Sequence, residues 1–84
     1  MFQFEWDENK AAANFKKHRV SFLEASTVFF DENARLLGDP EHSLEEDRFI
    51  LLGFSQEHKM LVVCHCFKET DTLVRIISAR RATK

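Results

Sequence analysis

Cysteine, proline and glycine are scarce in this 84-residue sequence, which has two, one and two of them. Two cysteines cannot build the dense disulfide framework of a small secreted scaffold. The longest uncharged stretch, MLVVCHCF at residues 60–67, contains a histidine and is much shorter than the roughly 20 apolar residues of a membrane-spanning helix. The first ten residues carry acidic side chains where a signal peptide has basic ones. We therefore expect a soluble, cytoplasmic protein with no membrane partner.

The composition is typical of one small globular domain. With 44% hydrophobic and 31% charged residues, the chain is neither disordered nor of low complexity. A length of 84 residues leaves room for one hydrophobic core, so we expect a single domain over residues 1–84.

Charge is unevenly distributed along the chain. Twelve Lys and Arg residues against fourteen Asp and Glu residues give a net charge of −2, which argues against a general attraction to nucleic acid. Residues 1–64 hold 7 basic and 12 acidic side chains, whereas residues 65–84 hold 5 basic and 2 acidic ones. This distribution fits phosphate binding by the C-terminal part, and it fits a solvated basic tail equally well.

The motifs of common enzyme classes are absent. The sequence has no Walker phosphate loop, GxGxxG, HExxH or GxSxG. Cys64 and Cys66 stand on one face of a predicted strand, but no CxxC or HxxxH pair elsewhere would complete a zinc site. We interpret both cysteines as small buried apolar residues, and we expect neither a metal nor a cofactor.

Hydrophobic periodicity and capping residues predict an α+β fold. Asp7 is a predicted N-cap, and Ser21 with Glu24 forms a capping box for a second helix. Short connections predict an antiparallel meander for the last three strands, with the N-terminal strand and both helices packed on it. The predicted elements are a strand at residues 2–6, helices at 8–18 and 22–30, a short strand at 34–38, an acidic loop at 39–47, and strands at 48–54, 59–67 and 72–79.

Symmetric hairpins bring three polar residues of these strands into one row. If the first hairpin is centred on residues 56–57 and the second on Thr70, His65 faces Arg48 on one side and Arg75 on the other. Adjacent strands lie about 4.8 Å apart, so two guanidiniums can hold one phosphate while the imidazole moves a proton. The same residues also fit a half-buried histidine at the sheet rim beside solvated arginines.

The predicted sheet has more apolar surface than two short helices can cover. One face carries the helices, and the other either meets the N-terminal strand or is buried by another chain. We therefore expect a protein partner.

Several short segments follow one another in a specific order, namely FEWD, KHRVSF, DRF, VVCH and RIISAR. Over residues 4–83 this order and spacing resemble the BrnT family, the small toxins of bacterial type II toxin–antitoxin pairs. The resemblance implies a RelE-like fold, RNA cleavage without a metal, and a cognate antitoxin that also binds operator DNA. Arg19 stands where the family usually has glycine, which questions a left-handed backbone conformation there.

The predicted row and the resemblance together lead us to predict roles for individual residues. We predict a ribonuclease toxin in which Arg48 and Arg75 hold the scissile phosphate and His65 transfers a proton during attack by the RNA 2′-OH. The alternative is a non-catalytic or degenerate protein that keeps the fold and the antitoxin-binding surface. We expect a dimer or a toxin–antitoxin assembly in either case. The predicted RNA-binding residues are Lys17, His18, Arg80 and Arg81, and the positions matched by the resemblance are Lys17, His18, Arg48, His65, Arg75, Ser78 and Arg80.

Overall fold

Five strands form one mixed sheet with helices on one face in the computed structural model, which describes residues 2–38, 48–68 and 72–82. Within these ranges the helices are too short to cross a membrane. The acidic loop predicted at residues 39–47 lies outside the described residues. The elements are β1 (Gln3–Glu5), α1 (Glu8–His18), α2 (Phe22–Thr27), a 3₁₀ turn (Val28–Phe30), β2 (Arg35–Gly38), β3 (Arg48–Phe54), β4 (Met60–Phe67) and β5 (Leu73–Arg81).

The sheet confirms the α+β class and the antiparallel meander of β3, β4 and β5. Its strand order is β1-β5-β4-β3-β2, and its neighbours are antiparallel except β1 and β5, which are parallel. The N-terminal strand therefore extends the sheet at its edge rather than packing on it. One face of the sheet stays without a helical layer in the described part of the chain.

Both helices begin at the predicted capping residues. The Asp7 carboxylate accepts the backbone N–H of Asn9 at 2.7 Å, and Ser21 Oγ accepts that of Glu24 at 3.0 Å. The Glu24 carboxylate does not bond back to Ser21 as in a capping box. It accepts a hydrogen bond from the hydroxyl of Ser55 in the β3–β4 turn at 2.7 Å. The start of α2 is thereby tied to the first hairpin.

Helix α1 ends in a left-handed residue that is not glycine. Arg19 has φ 60° and ψ 28°, and its N–H donates to the Phe15 carbonyl at 2.8 Å. The left-handed conformation costs a residue with a Cβ about 1–2 kcal/mol. The Arg19 guanidinium lies 4.9 Å from the centre of the Phe15 ring, a cation–π contact that offsets part of this cost. The turn that favours glycine is therefore made by arginine.

The core lies between the helices and one face of the sheet, which we call the covered face. Alternate residues of β3, β4 and β5 point there. We call the opposite side the open face. The buried hydrophobic residues of the core are Val20, Phe22, Ala25 and Val28 from the helical layer, and Leu51, Leu61, Val63, Val74, Ile76 and Ala79 from the sheet. By strand register, the open face carries Glu5, Arg35, Leu37, Arg48, Ile50, Leu52, Phe54, Val62, Cys64, Cys66, Arg75, Ser78 and Arg80.

A buried asparagine joins α1 to the edge of β5. Asn14 Nδ2 donates to the carbonyls of Val20 at 3.0 Å and Ala79 at 2.8 Å, and Asn14 Oδ1 accepts the Ala79 N–H at 3.1 Å. Strand β1 pairs only with the first part of β5, as far as Arg75. The asparagine amide therefore continues the pairing of this edge beyond the end of β1. No motif in the sequence marks Asn14 as a structural residue.

We expect Asn14→Ala to lower the free energy of unfolding by about 2–4 kcal/mol, because it leaves the buried N–H and C=O of Ala79 without their partner. Urea unfolding followed by circular dichroism measures this loss. Asn9→Ala, on the exposed side of the same helix, is the matched control. Equal effects of the two substitutions would contradict a structural role for the Asn14 amide.

Candidate functional site

In the structure, the pairing of β3 with β4 differs by one residue from the predicted pairing. Arg48 lies opposite Cys66, and His65 lies opposite Phe49. On the other side of β4, Arg75 also lies opposite Cys66. The predicted row of Arg48, His65 and Arg75 is therefore wrong, because a shift of one residue moves a side chain to the other face of the sheet. The two arginines do share a row, and Cys66 stands between them.

The shape of the first turn explains this shift. Ser55 N–H donates to the Lys59 carbonyl at 2.8 Å, and His58 N–H donates to the Ser55 carbonyl at 2.9 Å. The loop thus has three residues, 56–58, and ends at His58 with φ 64°, a form seen in three-residue hairpins. Histidine gives no turn signal comparable to Asn-Gly, so the sequence did not indicate an odd loop length. On the other side of β4, Cys66 pairs with Arg75 and Phe67 with Val74, one residue away from the prediction, and a bulge between Cys64 and His65 shifts the pairing by one more residue beyond that point.

His65 is a core residue of the covered face. Its side chain is 0% exposed, and its ring centre lies 4.8 Å from that of Phe29 and 5.3 Å from that of Phe67. Nδ1 lies 3.2 Å from the Val63 carbonyl, which can only accept, so we assign the proton to Nδ1. Nε2 is buried without a hydrogen-bond partner among the described residues. Burial lowers the pKa of His65, which favours the neutral ring.

The open face carries a row of three polar side chains around Cys66. From β3 to β1 the row reads Arg48, Cys66, Arg75 and Glu5. Arg75 Nη1 donates to Glu5 Oε2 at 2.9 Å, and both side chains are more than one-third exposed, at 36% and 37%. The hydrogen bond to Glu5 raises the pKa of Arg75. The Cα atoms of the two arginines are about 10 Å apart, which is two interstrand spacings.

Two further arginines stand on the same face. Arg80 lies opposite Val62, and Arg35 lies opposite Leu52 on the edge strand. In the strands that the structure describes, Glu5 is the one acidic residue. The open face therefore combines positive charge at its margins with an apolar centre. The apolar side chains are Leu37, Ile50, Leu52, Val62 and Cys64.

Two of the predicted RNA-binding residues lie at the C-terminal end of α1, and the other two lie at the end of β5. Asn14 anchors α1 to Ala79, one helical turn before His18 and immediately before Arg80. Lys17, Arg80 and Arg81 are exposed, and His18 is half-buried.

Metal-ligating side chains are not gathered at any one place in residues 2–38, 48–68 and 72–82. Cys64 and Cys66 lie on the open face and are not disulfide-bonded. Neither Glu5 nor Arg35 of this face was predicted from the sequence. Glu5 and Arg75 are 70 residues apart in the chain, so only the parallel pairing of β1 with β5 reveals their contact.

A family model described as "Ribonuclease toxin, BrnT, of type II toxin-antitoxin system" matches residues 6–84. The chain belongs to the BrnT family. A type II toxin–antitoxin family implies an antitoxin protein as partner. A similar solved structure is the 1.1 Å crystal structure of the Brucella abortus ribonuclease toxin BrnT, with a TM-score of 0.72 and 21% identity over 100% of both chains. At this identity the likeness establishes the fold. No curated protein sequence matches this BrnT-family chain.

His65 should make the stability of the protein depend on pH. Because burial lowers its pKa below 6.5, the unfolded chain binds a proton on this residue at higher pH than the folded one. We expect the free energy of unfolding to fall as the pH drops below 6.5, by at most about 1.4 kcal/mol per pH unit for this proton.

Urea unfolding at pH 7.5 and at pH 5.5 measures this dependence. His65→Leu should remove it, since leucine does not titrate. His58→Asn, which changes an exposed histidine with positive φ, should keep it. An unchanged dependence in His65→Leu would show that other groups cause it.

Proposed function

We propose that this chain cleaves RNA on the open face of its sheet, without a metal ion, by attack of a ribose 2′-OH on the adjacent phosphodiester. The observation that carries the proposal is the row in which Arg48 and Arg75 flank Cys66. The family description, a ribonuclease toxin, supports the same reaction. In this reaction the 2′ oxygen bonds to phosphorus and the bond to the 5′ oxygen breaks.

Two guanidiniums suit the charge that develops during this reaction. A guanidinium matches a phosphate with two parallel N–H donors and keeps its charge at any physiological pH. The pentacoordinate phosphorus gains negative charge on its oxygens, and donors already aimed at that place stabilise it. The ion pair with Glu5 holds Arg75 in position before RNA binds. Arg48 and Arg75 thus supply positive charge from both sides of Cys66.

Further basic side chains at the ends of α1 and β5 are available for the RNA backbone. Arg80 projects from the open face itself, opposite Val62. Lys17 and Arg81 are exposed, and their charges can neutralise further phosphates. We assign RNA binding, and no step of the chemistry, to Lys17, His18, Arg80 and Arg81.

The proton-transfer role expected for His65 remains a prediction that the proposal does not use. Its imidazole is enclosed on the covered face, whereas Arg48 and Arg75 lie on the open face. A general base must come within hydrogen-bond distance of the 2′-OH. His65→Leu tests the role directly, because a true acid–base group would lose about 10²–10⁴ in rate in a folded variant.

Bulk RNA incubated with the purified chain, with Mg²⁺ or with EDTA, tests the cleavage itself. We expect equal cleavage in both arms, and a loss of about 10²–10³-fold in rate in Arg48→Ala and Arg75→Ala. Arg75→Lys should fall between wild type and alanine, because it keeps the charge and loses the planar fork.

Lys59→Ala is the control for that assay, since Lys59 pairs with Glu57 in the turn, away from the row. Cleavage that needs Mg²⁺, or that survives loss of both arginines, would contradict the proposed site. No cleavage by the folded wild-type chain would favour the non-catalytic alternative.

The same open face is the surface that we propose for the antitoxin. Apolar side chains at its centre and arginines at its margins suit a segment with apolar and acidic residues. An antitoxin seated there would cover Arg48 and Arg75 and thereby exclude RNA. This explains neutralisation by direct competition, without a change in the fold.

We expect Leu52→Glu or Val62→Glu to abolish co-purification with the cognate antitoxin, because each places a buried negative charge against an acidic partner. Leu23→Glu is the matched control, since Leu23 is 70% exposed on α2, on the other side of the molecule. If both open-face variants still bind the antitoxin and the α2 variant does not, the antitoxin binds on the helical side and the proposed surface is contradicted.

A further inference from the structure

Glu5 is positioned to take part in the chemistry. We infer that its carboxylate is the base that accepts the proton of the attacking 2′-OH, an inference that rests on the proposed function. It is the one acidic residue in the described strands, and it stands in the same row as Arg48 and Arg75. The imidazole expected to do this work is on the opposite face of the sheet.

The contact with Arg75 places the carboxylate beside the expected position of the phosphate. Glu5 Oε2 lies 2.9 Å from Arg75 Nη1. A guanidinium has five N–H donors, and this hydrogen bond takes one of them. A phosphate oxygen bound by other N–H groups of Arg75 would therefore lie next to the Glu5 carboxylate. The 2′-OH is attached to the ribose that carries this phosphate, so Glu5 can reach its proton.

The exposure of the pair favours a functional role over a structural one. Both side chains are more than one-third exposed, at 36% and 37%, and exposed ion pairs add little to stability. An open position is also what a large substrate requires. The pair keeps the carboxylate and the guanidinium together, ready to act on neighbouring atoms of one nucleotide.

The step balances without any added oxidant or reductant. The Glu5 carboxylate takes the 2′-OH proton as the 2′ oxygen forms a bond to phosphorus. The bond between phosphorus and the 5′ oxygen breaks, and the leaving 5′ oxygen takes a proton from solvent water. The products are a 2′,3′-cyclic phosphate and a 5′-hydroxyl end, and Glu5 returns its proton to solvent. Arg48 and Arg75 stabilise the charge on phosphorus throughout.

Glu5→Gln separates the proton transfer from RNA binding. Single-turnover cleavage measures the rate, and titration with 2′-O-methyl RNA, which cannot react, measures affinity. We expect the rate to fall by about 10²–10⁴-fold. Affinity should stay equal or become tighter, because Arg75 then faces phosphate without a competing carboxylate. Glu5→Asp should keep part of the rate, since it keeps the carboxylate.

Other results would overturn the inference. An unchanged or faster rate in Glu5→Gln would show that Glu5 only competes with RNA for Arg75. Parallel losses of rate, affinity and urea midpoint would show that it only positions Arg75. Glu8→Gln, on the exposed first turn of α1, controls for loss of one negative charge. If the wild-type chain does not cleave RNA, both the proposed function and this inference are contradicted. If the wild-type chain and Glu5→Gln both cleave RNA at the same rate, only the inference is contradicted.

Discussion

Cys66 sets the arrangement of the open face through its two cross-strand pairs. It lies opposite Arg48 on β3 and opposite Arg75 on β5. Side chains alternate along a strand, so this pairing also sends His65, the preceding residue, into the core. The parallel pairing of β1 with β5 then brings Glu5 against Arg75. The charged row, the buried imidazole and the apolar centre of the open face all follow from the register at this one position.

The two faces of the sheet differ in burial and in the side chains that they carry. The covered face is buried against the helices, and the Asn14–Ala79 hydrogen bonds at the edge of β5 fix the position of α1. The open face has half-buried apolar side chains next to arginines, and apolar patches with a polar rim are typical of binding surfaces. On the proposal that RNA and the antitoxin use the same surface, inhibition requires only that one ligand exclude the other.

The helices and strands were predicted well from the sequence because capping residues and apolar periodicity act over a few neighbouring residues. The hydrogen bonds of Asp7 and Ser21 to nearby backbone N–H groups start the helices where predicted. Alternating apolar residues located β3 with its observed bounds and β4 and β5 to within two residues. The pairing between strands was not predictable in this way. A three-residue turn ending at His58 and a bulge beside His65 both changed it, and neither carries a glycine.

The sequence by itself determined the α+β class, the caps, the helix and strand positions and the membership in a toxin family, since these depend on short-range order and on motif spacing. Tertiary structure alone decided which side chains meet. Each one-residue change of register exchanges the two faces of a strand, and sequence periodicity carries no information about which neighbour lies opposite. For this reason the sequence predicted Arg48, His65 and Arg75 in one row, whereas only the structure shows Cys66 between the arginines, Glu5 beside Arg75 and His65 in the core.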